Sequence, residues 1–396
     1  MPRSSPPRRT RSELRWALAA DVLDGYRREP DLSRAELTSS LQLSSGTMTD
    51  LVNRLQGARL IAEEATPPSG RGRPTTRLAP HPDGPTVAVA EISAYGWRTA
   101  WAGIDGRLRV FEDGDHRSYD ATAILTEVGD SLARLRAVQA GRSCATSLSI
   151  SGTLSGTEVV QSAVLGWERV ELAGLAGPDT ELLCANDATL AAVAEARRGA
   201  ARGARVNTHL LITSGTGGGV CQDGRPLQGA IGAGAEFGHL PFGSRPLRCS
   251  CGAIGCWEVD LGARALASEL MLGLTHPAQE VTAARAWLRD QDPLRPAAAV
   301  QAQAASLGRG LAGLVNALDP DVVTISGLAP HLRRLAPSDF AQAFRRSLMS
   351  FRRSSPPPVL DAELADDGPL VGAVELGLDQ VFSAAGLARW VGEDDS

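Results

Sequence analysis

The sequence predicts an α/β protein carrying a small helical head, and three observations lead there. Residues 12–60 hold apolar side chains at helical spacing. From Thr86 onward, short apolar strand segments alternate with helical ones. Between His239 and Cys256, one imidazole and three thiols crowd into a Gly-rich stretch. A chain of 396 residues is too long for one ordinary core, so two or three domains are expected.

Charge separates the head from the body. Residues 1–80 carry 13 Arg against 9 Asp and Glu, a net of +4, which leaves −9 for the rest of a chain whose total is −5. A basic head on an acidic body fits nucleic-acid contact by the head alone. Every basic side chain is Arg, since the sequence has no Lys. No apolar run of about 18 residues is present, so no membrane span is expected. Residues 1–11 are rich in Pro, Ser and Arg without an apolar stretch, and read as a disordered basic arm rather than a secretory signal. A cytoplasmic location is expected. Three of six Cys fall in residues 249–256, which favours metal binding over disulfides.

The first helix is expected over 12–28, from the spacing of Leu14, Leu18, Val22 and Leu23. Ser33 followed by Glu36 is a capping box opening a second helix to about Leu41. A third helix runs to about Leu55, with Met48, Leu51, Val52 and Leu55 on one face and Ser45, Thr47, Thr49, Asp50, Asn53 and Arg54 opposite. Gly and Pro break structure at 67–74, placing Arg71 and Arg73 on a loop tip before a returning strand near 75–78. Further strands are expected near 87–92, 98–104, 147–150, 208–213 and 321–326, and helices near 121–139, 187–198 and 300–318.

The sharpest chemical pattern is His239, Cys249, Cys251 and Cys256, spaced H-x9-C-x-C-x4-C around Gly252 and Gly255. One imidazole and three thiolates complete a tetrahedral set for structural Zn²⁺. The plainer alternative is three buried thiols beside an unrelated His. The segments Glu236-Phe237-Gly238-His239 and Cys249-Ser250-Cys251-Gly252-Ala253-Ile254-Gly255-Cys256-Trp257-Glu258 resemble the E-x-G-H and C-x-C-G-x-x-G-C-x-E elements of the ROK (Repressor, ORF, Kinase) family.

That resemblance implies a winged helix-turn-helix followed by a two-lobed actin-like ATPase (RNase H-like) sugar-kinase domain with a zinc loop at 239–256. The head would span 12–80 and the first lobe 86–198, completed by a helix near 370–390. The second lobe would span 199–369. It also implies a sugar pocket of Gly152, Asn186, Asp187, Glu236, His239 and Glu258, with Asp187 at the position of the kinases' general base. The alternative for Asp187 is a cap on a helix starting at 188. Ser151 stands where the family has Pro.

Two phosphate-holding elements of the family's kinases are altered. Glu91-Ile92-Ser93-Ala94-Tyr95 replaces a D-x-G-G-T hairpin, and Thr213-Ser214-Gly215-Thr216-Gly217-Gly218-Gly219 keeps only part of a Gly-rich loop. Side chains in the first element obstruct backbone approach to phosphate. ATP and Mg²⁺ are therefore not expected, and neither is enzymatic activity. The expected function is a sugar-responsive transcriptional regulator, most simply a repressor. It would act as a homodimer or homotetramer on double-stranded operator DNA, with a sugar or sugar phosphate as effector. Ser45, Thr47, Thr49, Asn53, Arg54, Arg71 and Arg73 are the expected DNA contacts. The rivals are an ATP-dependent sugar kinase that also binds DNA and a ligand-blind DNA-binding protein.

Overall fold

The computed structural model describes residues 11–65, 76–177, 180–274, 276–292, 294–295 and 297–392. The head comprises α1 (Arg11–Arg28), α2 (Arg34–Ser40), α3 (Ser45–Gly57) and an antiparallel hairpin of β1 (Ile61–Ala65) and β2 (Thr76–Pro80). Ser33 and Glu36 form the capping box of α2. Ser44 caps α3 by accepting from the Thr47 N–H. Met48, Leu51, Val52 and Leu55 are buried with Val22 and Leu23 of α1. Of the arm expected at 1–11, Arg11 instead opens α1, and residues 1–10, like Arg71 and Arg73, lie outside the described residues.

The body then builds β3 (Thr86–Ile92), β4 (Gly96–Ala102), β5 (Arg109–Asp115), α4 (Ala121–Val138) and β6 (Ser143–Ile150). A small antiparallel sheet follows: β7 (Thr153–Ser155), β8 (Glu158–Ser162) and β9 (Trp167–Glu171). After β10 (Leu182–Asn186), helix α5 (Asp187–Arg197) leads towards a second sheet. The first large sheet has the order β10-β6-β3-β4-β5, with β10, β6 and β3 parallel. Every residue of β3 is buried, because helices cover both faces of the sheet.

The second lobe contains β11 (Val206–Ile212), β12 (Thr216–Gln222), β13 (Arg225–Pro226), α6 (Ala263–Glu269), α7 (Pro277–Arg289) and α8 (Ala298–Leu318). It continues through β14 (Val322–Gly327), α9 (Ala329–Leu335), α10 (Pro337–Ser347) and β15 (Val359–Asp361), in a five-stranded sheet ordered β13-β12-β11-β14-β15. Finally α11 (Gly368–Val381) returns to pack on β3, β6 and α5, and α12 (Ala384–Trp390) packs on α1. Among the described residues no single helix is long and apolar enough to cross a membrane.

The segment expected as a Gly-rich loop is largely a strand. A side-chain carbon at Gly218 would overlap the Phe237 ring, and one at Gly219 would overlap Ala192 of α5. These glycines let β12 lie close against α5 and the Phe237 turn.

Head and body meet around one buried carboxylate. The Glu375 side chain, on α11, is 1% exposed. Arg27 of α1 approaches it at 3.4 Å, Arg197 of α5 at 3.2 Å, and Arg198 also pairs with it. Asp379, one turn further on, takes Arg27 and Arg197 at 2.8 Å each. Gly106 has no side chain to collide with the Arg198 guanidinium, which donates to the Asp105 carbonyl. The indole of Trp390 donates to the Ala58 carbonyl at the end of α3, over 2.7 Å.

Burial alone raises the Glu375 pKa, yet Arg27, Arg198 and Arg197 together hold it below its ordinary value. Glu375→Ala strands three guanidinium groups and is expected to cost about 3–5 kcal/mol in denaturant unfolding. Because the folded carboxyl binds its proton less tightly than the unfolded one, this stability is present above the ordinary glutamate pKa of 4.5. It is lost as pH falls through the depressed folded value. Glu375→Gln removes that titration, so its acid limb should be shallower than wild type in thermal melts between pH 6 and pH 3; equal limbs would refute the assignment.

Candidate functional site

The cleft between the lobes is built from strand ends. β6 ends at Ile150, and Ser151 and Gly152 follow as a turn. β10 delivers Asn186 and Asp187 to the first turn of α5. The second lobe contributes Glu236 and His239 from one short turn and Glu258 from another. Gly152, Asn186, Asp187, Glu236, His239 and Glu258 all line one cavity of about 90 Å³. A neighbouring cavity of about 310 Å³ shares Ser151, Asp187, Leu211 and Thr213 with it and runs out past Tyr95.

The cap of α5 is Asn186 rather than Asp187, so the simple capping alternative for Asp187 does not hold. Asn186 Oδ1 accepts from the Ala188 and Thr189 N–H groups, and its amide donates to the Gly152 carbonyl. One amide N–H of Asn186 then remains for a ligand. Asp187 accepts from the Ala188 N–H through Oδ1 and from the Ser151 hydroxyl through Oδ2. Burial pushes its pKa up to about 6, against the Ser151 hydroxyl, which stabilises the charged form. Glu236 is held by the Thr153 hydroxyl at 2.8 Å. Glu258 accepts from the Cys249 thiol at 2.9 Å, and its other oxygen faces Gly215. Glu195, further along α5, accepts from the Ala200, Glu363 and Leu364 N–H groups and does not line the cleft.

The ligand atoms of His239, Cys249, Cys251 and Cys256 all lie within 4.8 Å of one another. Cys251 Sγ and Cys256 Sγ are 3.7 Å apart, and Cys249 Sγ is 3.6 Å from His239 Nδ1. A tetrahedral ion with Zn–S near 2.3 Å and Zn–N near 2.0–2.1 Å requires separations of about 3.8 and about 3.6 Å. These two separations match, and the four donors together could hold a zinc ion. With Nδ1 turned to the thiols, His239 keeps Nε2 for the cleft.

The hairpin after β3 is filled by its own side chains. Glu91 lies directly opposite Arg98 in the β3–β4 register and pairs with it at 2.6 Å; Arg98 also reaches Asp367. Tyr95 crosses towards the second lobe, where Arg285 of α7 sits 5.5 Å from its ring centre. Burial pushes the Tyr95 phenol up to about 12, and its hydroxyl has no hydrogen-bond partner among the described residues. Sequence reasoning noted Ser151 without seeing its bond to Asp187, and it missed Thr153, Arg98 and Arg285. The Glu91–Arg98 pair was legible in principle from the register of a tight hairpin.

In the head, Ser45, Thr49, Asn53 and Arg54 are exposed on α3, whereas Thr47 is half-buried and bonded to the Ser44 hydroxyl. The Thr49 hydroxyl donates to the Ser45 carbonyl and accepts from Arg34.

Two five-stranded sheets closing on such a cleft define an α/β protein of the sugar-kinase-like, actin-like class. The chain belongs to the ROK family, whose model matches residues 120–380. A glucokinase of Halalkalibacterium halodurans is 32% identical over 180 residues, covering 41% of this chain and 54% of that protein. The chain thus spans about half the length of that curated relative. A crystal structure of a ROK family transcriptional regulator, a homolog of the E. coli MLC protein, superposes with TM-score 0.73 at 20% identity, over 96% of this chain and 100% of the other. A ROK glucokinase from Streptomyces griseus, in complex with glucose and AMPPNP, superposes with TM-score 0.60 at 24% identity, over 74% and 99%. These structures establish the fold. The expectation that the chain is not an enzyme is overturned: a relative at 32% identity is a glucokinase. Asp187, with its carboxyl pushed up to about 6, is chemically able to accept a proton from a bound hydroxyl. Altered hairpin residues alone were too narrow a basis for excluding catalysis.

Removing the Ser151 hydroxyl takes away a bond to the charged form of Asp187. Ser151→Ala should raise the Asp187 titration midpoint above about 6. Carboxyl-carbon NMR of the labelled protein measures it; an unchanged midpoint refutes the pairing.

Proposed function

We propose that this chain is a sugar-responsive, DNA-binding transcriptional regulator, most simply a repressor, working as a homodimer or homotetramer on double-stranded operator DNA. One observation carries the reading. Helix α5 bears Asp187 at its first turn and Arg197 at its last, and Arg197 shares Glu375 and Asp379 with Arg27 of the head. Eleven helical residues span about 16 Å. A ligand that moves the α5 N-terminus therefore works directly on the residues that seat the head. The differential affinity that regulation requires resides in the cleft, open or closed.

In this reading the head is a winged helix-turn-helix. Exposed Ser45, Asn53 and Arg54 face the major groove with Thr47 and Thr49, and the loop of Arg71 and Arg73 meets phosphate or the minor groove. In the pocket Asp187, Glu236 and Glu258 accept from sugar hydroxyls, while Asn186 and His239 offer a remaining N–H and a ring nitrogen. Gly152 lines the same cavity. Structural zinc on His239, Cys249, Cys251 and Cys256 fixes the two turns that present Glu236 and Glu258. Glucose is the first probe, since one relative is a glucokinase, and N-acetyl-D-glucosamine is the second, since another is an N-acetyl-D-glucosamine kinase of Citrobacter koseri.

A second reading is supported by Asp187 itself. A carboxyl with a pKa of about 6, set against a sugar hydroxyl, suits a general base for sugar phosphorylation. The phosphates would then have to pass Tyr95 and the Glu91–Arg98 pair. A coupled assay for glucose-dependent ATP turnover separates the readings. In a kinase, Asp187→Asn should lower turnover by about 10²–10⁴-fold.

For the regulator, a charge-assisted bond from Asp187 in a closed cleft is worth about 1.5–3 kcal/mol. Asp187→Asn and Glu258→Gln should each raise the sugar midpoint of operator release about tenfold or more, with sugar-free DNA binding near wild type. Unchanged midpoints in both variants would reject the pocket. Purified protein should also contain one zinc per chain by elemental analysis, lost in Cys251→Ser together with the sugar response; metal-free wild-type protein that still responds to sugar would reject the zinc assignment.

A further inference from the structure

Two stretches of chain join the lobes: residues 198–205, from the end of α5 to β11, and residues 362–367, from β15 back to α11. Both are held by one side chain. Glu195, in the last turn of α5, is 0% exposed. Its Oε2 accepts from the Ala200 N–H of the first crossing at 2.8 Å and from the Glu363 N–H of the second at 3.2 Å. Its Oε1 accepts from the Leu364 N–H at 2.8 Å. A carboxylate buried this deeply needs such donors, and here they come from both crossings at once. Gly199 makes room for the arrangement, because a side-chain carbon there would collide with Oε2.

The second crossing changes sides at a single peptide. The Ala362 N–H still donates to the Ile325 carbonyl of the second-lobe sheet, at 2.8 Å. The next two N–H groups go to Glu195 in the first lobe. Just beyond, each lobe contributes a clamp: Arg285 of α7 takes Asp366 at 2.7 Å, and Arg98 of β4 takes Asp367 at 2.6 Å. Ala365, between these contacts, has φ +46°, a left-handed conformation that side-chain-bearing residues seldom adopt. Hinges are made of such short stretches at the ends of elements, which absorb the backbone rotation when lobes move.

We propose that Glu195 is the pivot of the two lobes, a positioning residue that fixes the angle at which the walls of the cleft face each other. It touches no ligand itself. Asp187 lies about two turns earlier on the same helix, while Glu236 and Glu258 stand on the other lobe, so the spacing of these three carboxyl groups is set at the pivot. Loosening it leaves each lobe folded and lets the angle between them wander. The pivot needs no ligand; its effect on sugar affinity rests on the sugar-pocket reading.

The experiment uses the full chain, with a donor and an acceptor dye on keto-bearing unnatural residues at two exposed positions, Val138 in the first lobe and Phe351 in the second. Single-molecule energy transfer then reads the distance between lobes without sugar or DNA. Wild type should give one narrow distribution. Glu195→Ala should widen it at least about 1.5-fold, and so should Gly199→Ala, which displaces the carboxylate without removing it. Glu195→Gln keeps one of the two acceptor oxygens and should fall between; it carries the test if the other two variants fail to fold. Leu132→Ala, a cavity in the first-lobe core, should lower Tm and leave the width unchanged. A folded Glu195 or Gly199 variant with the wild-type width overturns the proposal. Equal widening in Leu132→Ala also overturns it, since that would be general softening. Glucose calorimetry is a separate arm: Kd should rise at least about threefold in Glu195→Ala. A widened distribution with wild-type glucose affinity would keep the pivot and count against the cross-lobe sugar pocket.

Discussion

A carboxylate buried as deeply as Glu375 has to be surrounded by cations or lose its charge. That requirement organises the molecule. Meeting it draws Arg27 out of the head, Arg197 and Arg198 out of the end of α5, and α11 back from the C-terminal end of the chain to the first lobe. Asp379 repeats the demand one turn later. Three segments far apart in sequence are thereby held to one point, and the apolar core of the head runs on without a break into that of the first lobe.

The zinc-type cluster does comparable work at the other side of the cleft. Its donors lie close enough together to hold a metal ion, and the same short turns present Glu236 and Glu258. Rigid turns matter here because carboxylates on loose loops would pay ordering entropy at each binding event. The two anchors, one of arginines and one of thiols, bracket α5 and the cleft between them.

Much of this was legible from residues alone, where local chemistry decides. Ser33 with Glu36 and the H-x9-C-x-C-x4-C spacing each act within a short stretch of chain, and each set is brought together in the structure. Residues whose role depends on distant partners were opaque. Arg27 contributes to a basic head by composition, yet it is buried against α11 and contributes nothing to the outer charge of the head. Gly217, Gly218 and Gly219 resembled a phosphate loop, whereas their missing side chains serve the approach of α5 and Phe237. On its residues alone Asp187 read as a cap, and only the family resemblance turned it into a pocket residue; the neighbouring Asn186, an equally good capping type, takes that role. The inference against catalysis failed for the same reason: it weighed one hairpin and not the site it adjoins.

The placement of α5 divides the protein's history from its output. The cavity is lined from turns at 151–153, 236–239 and 258, each free to drift by single substitutions. The ion pairs that seat the head hang on the other end of α5. If the cleft holds an effector as proposed, descendants of such a chain could exchange one ligand for another while inheriting the same lever.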